Sequence, residues 1–225
     1  MTPDAASKVK EPRVVGEARW PMAFAVVAVI VLTVLLPRGL VQHPRWGVPL
    51  VEGLLLVAVI IADPGKIDLV SPRVRALSIT LIALLVATTL WCTTQLIVEL
   101  IRGGADTKSA GALLAAGGIV WISNCLSFGL LYWELDSGGP AVRAHGLPAH
   151  PDFAFPQQLN PELAPEHWRP RFVDYMYLGF TSATAFSPTD AMPLKPWNKL
   201  AMMAQSTISL VLLGLVIARA VNVLT

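Results

Sequence analysis

Residues 76 to 100 read Ala76-Leu-Ser-Ile-Thr-Leu-Ile-Ala-Leu-Leu-Val-Ala-Thr-Thr-Leu-Trp-Cys-Thr-Thr-Gln-Leu-Ile-Val-Glu-Leu100, with a single charged side chain, Glu99, at the far end. As a helix rising about 1.5 Å per residue, the run is about 37 Å long and exceeds the ~30 Å hydrocarbon core of a bilayer. Arg73 and Arg75 precede it and Arg102 follows it, so cations mark both water boundaries. The stretch predicts a transmembrane helix, and with it a chain whose main solvent is lipid.

The whole composition carries the same signature: 54% of residues are hydrophobic and 14% charged, with a mean hydropathy of +0.59. Soluble domains run near a quarter charged. The expected class is therefore all-α, one polytopic helical membrane domain in contact with the lipid bilayer.

Toward the N-terminus, Trp20 to Leu36 is almost wholly aliphatic, opens on an interfacial Trp and stops at Pro37-Arg38, the profile of a spanning helix. Lys8, Lys10, Arg13 and Arg19 before it resemble the basic start of a signal peptide. The run ends without a small-residue cleavage pattern, so a retained anchor is expected. Residues 1–19, polar and broken by Pro3 and Pro12, are expected to form a disordered tail. Gly47 to Ala62 is a shorter apolar run carrying Glu52, and Asp63-Pro64-Gly65 after it supplies turn chemistry.

Toward the C-terminus, Ala110 to Trp133 is a further span whose Gly111, Ala115, Gly118 and Ser123 suit close helix packing. Residues 134–171 form a Pro-, His- and acid-rich extramembrane loop. Phe172 to Phe186 is apolar but too short to cross comfortably and is closed by Ser187-Pro188, whereas Leu200 to Leu224 is long enough. The organisation expected is a tail (1–19), a four-helix transmembrane region (20–133), the loop (134–171) and a C-terminal unit (172–225). That amounts to five transmembrane helices plus one short re-entrant segment.

Several chemistries lack support. The net charge of +2 comes from scattered basic residues, so nucleic acid is not an expected partner. Cys92 and Cys125 fall inside apolar runs and read as packing residues. His145, His150 and His167 match no metal-ligand spacing, and no nucleophile elbow or phosphate-cradling glycine loop occurs, so neither an enzyme, a metal nor a cofactor is expected. Within the spans, Glu52 and Asn124 are the polar groups whose burial needs a partner or water, and Asn124 is expected to hydrogen-bond between helices.

The least ordinary stretch is Phe180-Thr-Ser-Ala-Thr-Ala-Phe-Ser-Pro-Thr-Asp190-Ala-Met-Pro193, hydroxyl-rich at membrane depth just before the last span. A helix that enters the bilayer and returns as irregular backbone is tolerated only where protein or water surrounds that backbone. A pore loop meets this requirement: a helix carboxyl end faces a cation, and hydroxyls and a carboxylate replace its hydration. Thr181, Thr184, Ser187, Thr189 and Asp190 are the candidate pore residues, with Arg171 and Asp174 as an anchor for the short helix. From Asp174-Tyr175 to Val223 the chain resembles the potassium-channel-like pore-loop superfamily. Where that family turns its carbonyls inward with glycines, Ala185-Phe186-Ser187-Pro188-Thr189 contains none.

That stretch, together with Trp133-Glu-Leu-Asp-Ser-Gly-Gly-Pro140, Pro165-Glu-His-Trp-Arg-Pro-Arg171 and Ala218-Arg-Ala-Val-Asn222, also resembles an uncharacterised family of bacterial integral membrane proteins. This likeness implies a multi-pass protein of the bacterial inner membrane and carries no activity with it. The functional expectation is passive flux of monovalent cations through a homo-oligomer. The alternatives are a non-conducting scaffold that binds partners through its loop and, third, a secondary transporter. A docked short helix that neither crosses nor conducts, and one that crosses to make a sixth span, both stay open. With five crossings and a cytoplasmic N-terminus, basic residues modestly favour a cytoplasmic loop, opposite to the usual placement of a channel's pore loop.

Overall fold

Proline punctuates the long helices. It opens α3 (Pro72–Arg102) and α8 (Pro196–Leu224), where the missing N–H costs nothing, and Pro37 follows the end of α1 (Trp20–Leu35). The structure, a computed structural model, describes residues 16–102, 109–146, 148, 150–165, 168–184 and 191–224. Among them the remaining helices are α2 (Gly47–Ala62), α4 (Ala110–Leu135), α5 (Pro140–His145), α6 (Pro156–Leu159) and α7 (Phe172–Thr184). Two antiparallel two-residue ladders complete the fold: β1 (Glu17–Ala18) on β2 (Lys66–Ile67), and β3 (Phe153–Ala154) on β4 (Met192–Pro193).

The chain is thus a helical membrane protein: among the described residues α3, α4 and α8 are long and apolar enough to cross a bilayer. The two other long apolar helices, α1 and α2, have 16 residues each. At the helical rise they are about 24 Å long, so their caps must lie at or inside the headgroup level if they cross.

The bundle has two distinguishable ends. At one, called here the loop end, β1 pairs with β2 and Arg19 donates to Asp63 at 2.5 Å, joining the start of α1 to the end of α2. The described residues of 136–171 and β4 gather at the same end. At the other, Leu36 and Leu40 pack with Leu96 and Leu100 of α3, Leu113 of α4 and Leu212 and Val216 of α8. Helices α1 to α4 therefore alternate in direction, and α8 runs away from the loop end. Helix α4 sits at the centre, touching α1, α3, α7 and α8.

The expected tail boundary requires correction. Residues 1–15 lie outside the described residues, but Glu17 and Ala18 belong to the folded body, because strand pairing with Lys66 and Ile67 satisfies their backbone.

Candidate functional site

Helix α7 has 13 residues, about 20 Å of rise, and begins at the loop end. The strand before it, β3, is hydrogen-bonded to the strand after it, β4. The described strands before and after α7 therefore lie on the same side of the bundle. Residues 185–190, which include the candidates Ser187, Thr189 and Asp190, lie outside the described residues.

Glycines set how α7 meets α4. A Cβ on Gly179 would lie 2.6 Å from the Cys125 carbonyl oxygen and 3.0 Å from the Gly129 Cα, and one on Gly129 would meet the Met176 Cε at 2.5 Å. Hydrogen at Gly179 is what allows this backbone approach, and hydrogen at Gly129 leaves room for the end of Met176. Helix α8 ties the crossing from its other side. The Gln205 amide donates to the Gly179 carbonyl at 2.7 Å and accepts from the Tyr132 hydroxyl at 2.7 Å, while Ser206 donates to the Ser182 carbonyl at 2.8 Å.

The opening of α7 is held by a buried polar cluster. Asp136, 1% exposed, accepts from the Tyr175 and Ser137 hydroxyls and from the backbone N–H groups of Asp152 and Phe153. Arg143 donates to the Trp133 and Asp136 carbonyls at 2.8 and 2.7 Å and lies 4.8 Å from the centre of the Tyr175 ring. Glu17 accepts from the Phe172 N–H at 2.8 Å and faces Arg143 at 3.9 Å. Burial pushes the Glu17 carboxyl above its ordinary range, and the Arg143 charge opposes that rise. Asp152 carries the strand pair: it contacts Lys195, and its carbonyl accepts from Asn198 and from the Leu194 N–H.

The predicted anchor takes a different form. The Asp174 carboxylate accepts the Arg171 backbone N–H at 2.7 Å while Arg171 itself is exposed, so the two form the reaching-back half of a capping box instead of a side-chain pair. The tie to the body comes from Tyr175 and Phe172. Thr181 and Thr184 donate to the Tyr177 and Phe180 carbonyls at 2.9 and 3.0 Å, so their oxygens keep acceptor lone pairs turned away from the helix. Thr184 is exposed, in line with Val173, Tyr177 and Phe180 on one face of α7.

Inside the bundle, Glu52 is fully buried and accepts from Thr88 at 2.9 Å, leaving its second oxygen without a partner among the described residues. Asn124 donates to Ser209 across α4 and α8 at 2.8 Å, and Thr89 bonds Ser127 across α3 and α4 at 2.9 Å. These polar contacts join α2, α3, α4 and α8 pairwise, and they do not bring Glu52 or Asn124 to α7. Among the described residues no group of three His, Cys, Asp or Glu side chains could hold a metal ion.

Residue-by-residue reading of the sequence missed Asp136, Arg143, Tyr175 and Glu17. A signal was present in the Tyr132 to Pro140 segment, where Asp136, three residues after an aromatic pair, precedes two glycines. Its partners lie far away in sequence, and only the fold brings them in. Comparison with known proteins finds no matching family, no matching curated protein and no matching solved structure.

Proposed function

We propose that the protein is a five-crossing bacterial inner-membrane protein whose α7 dips into the bilayer from the loop end, and that copies of it assemble into a path for passive cation flux. One observation carries the reading: β3 and β4 pair on either side of α7, which is the connectivity of a pore loop followed by an inner helix. The resemblance of residues 174–223 to the pore-loop superfamily points the same way. A single loop cannot encircle an ion, so the conducting unit is a homo-oligomer in which the exposed face of α7 turns toward an axis. Thr184 and Ser187 line the narrow part, Thr181 and Thr189 flank it, and Asp190 concentrates monovalent cations at the mouth.

The test is flux from vesicles reconstituted with the purified protein. Asp190→Asn should reduce cation flux several-fold with the oligomer intact; a tight, monomeric wild type would sink the proposal.

A second reading is a non-conducting scaffold with a cytoplasmic loop. It is favoured by Arg19, Lys66, Arg73, Arg75, Arg143, Arg169, Arg171, Lys195 and Lys199 on the loop side, against Arg38, Arg45, Arg102 and Arg219 on the other, among the described residues. A pore loop of the usual orientation opens to the outside, so the side on which the loop lies separates the two.

A further inference from the structure

Away from α7, the loop end contains a cavity of about 320 Å³ between the β2–α3 connection, the end of α4 and α5. Its size falls in the range of small-molecule sites. Leu69, Val70 and Val74 form an apolar wall, and Leu69 and Val70 are about half exposed at the rim. The buried Trp133 also lines it.

The polar lining is incomplete. Glu134 is 3% exposed, and no hydrogen bond or ion pair to a described residue reaches its carboxylate. Arg19 gives one nitrogen to Asp63, while its Nε is buried without a partner among the described residues. Arg75 stands across from Glu134 without closing an ion pair. Gly139, at φ +96°, lies beside both groups: a Cβ there would meet the Glu134 carbonyl oxygen at 3.1 Å, its Oε1 at 3.6 Å and the Arg75 Nε at 4.0 Å. Buried polar groups are ordinarily paired, so the buried Glu134 carboxylate left open on the cavity, with the exposed Arg75 guanidinium beside it, describes the ligand that would complete them.

We propose that this cavity holds the headgroup of an aminophospholipid. Its primary ammonium donates to Glu134, its phosphate accepts from Arg75, and an acyl chain lies along Leu69, Val70 and Val74. The presence of both signs selects a zwitterion over a purely anionic lipid, and a carboxylate acceptor selects an ammonium that retains N–H donors over a quaternary one. The apolar rim selects a lipid over its water-soluble headgroup.

Native mass spectrometry of the full-length protein tests this, with phosphatidylethanolamine, phosphatidylcholine and phosphatidylglycerol of identical chains added in turn. Phosphatidylethanolamine should be retained preferentially, and Glu134→Gln should weaken it about tenfold and erase its advantage over phosphatidylcholine. Arg75→Gln should weaken all three lipids alike. Equal retention of the three by the wild type, or undiminished preference in Glu134→Gln, would overturn the assignment. Competition by glycerophosphoethanolamine as effective as by the whole lipid would overturn the lipid source. Should Glu134→Gln not fold, Val70→Trp fills the mouth with the acid intact. Loss of phosphatidylethanolamine at unchanged melting temperature supports the site, and full retention refutes it.

Discussion

At the scale of single residues, the loop end is organised by one carboxylate. Asp136 satisfies two hydroxyls and two backbone N–H groups from four separate residues, and each of those groups would be a buried orphan without it. Replacing it by Asn keeps the shape but halves the acceptors, and should cost about 2–3 kcal/mol, whereas Tyr175→Phe should cost about 1–2 kcal/mol because three partners remain. Thermal unfolding in detergent measures both. Glu17 makes stability depend on pH. Its carboxyl is raised in the folded state, so folded protein holds a proton that unfolded protein releases, and stability from this group falls as pH rises from the ordinary carboxylate value through the raised one. Melting temperatures of Glu17→Gln relative to wild type should therefore climb across that window; a constant difference would mean that Glu17 is not desolvated.

At the scale of elements, the α4–α7 crossing depends on two glycines with different neighbours. A methyl group on Gly179 would strike backbone, the Cys125 carbonyl, which can yield only if the helices separate. On Gly129 it would strike chiefly the end of Met176, a flexible side chain that can turn aside. Gly179→Ala should thus cost about 3 kcal/mol and Gly129→Ala about 1 kcal/mol, read from the same melts. Reversed magnitudes would mean that α7 is positioned by the Asp136 cluster instead of by the crossing. The sequence marked Gly111, Ala115, Gly118 and Ser123 on α4 as packing positions. Ser123 is buried, but Gly111 and Ala115 are exposed and a Cβ on Gly118 would meet nothing within 4 Å, while Gly117 and Gly129 are the α4 glycines that neighbours approach closely. Gly179 could not be singled out in the same way, since a glycine in a short apolar helix becomes necessary only once a partner backbone lies against it.

At the scale of the whole molecule, the pairing of β3 with β4 places both flanks of α7 on one side. After Cys92 and Cys125 are replaced by Ala, cysteines at Leu163 and Leu194 should react with an impermeant thiol reagent from the same face of the membrane. One at Gln42 should react from the other. Opposite reactivity of the first two would mean that α7 crosses, removing the pore-loop reading at once. Reactivity of the Leu163 cysteine from outside the cell would set aside the scaffold with a cytoplasmic loop.

What the sequence determined by itself is the helical class and the positions of its long helices. Hydrophobic length and proline punctuation are local properties, and a run such as 76–100 has few other ways to meet a bilayer. Trp20, Gly47 and Phe172 all open helices where composition changes, and the chain ends of α3 and α8 run past the apolar core because interfacial residues continue the hydrogen-bond ladder. Only the tertiary structure decided that Glu17 belongs to the body, that Tyr175 and Asp136 meet across 39 positions, and that Glu134 and Arg75 face one cavity. Each of these rests on contacts between residues distant in the chain. No local pattern encodes such contacts, because their energy exists only after α4, α7 and the loop have packed.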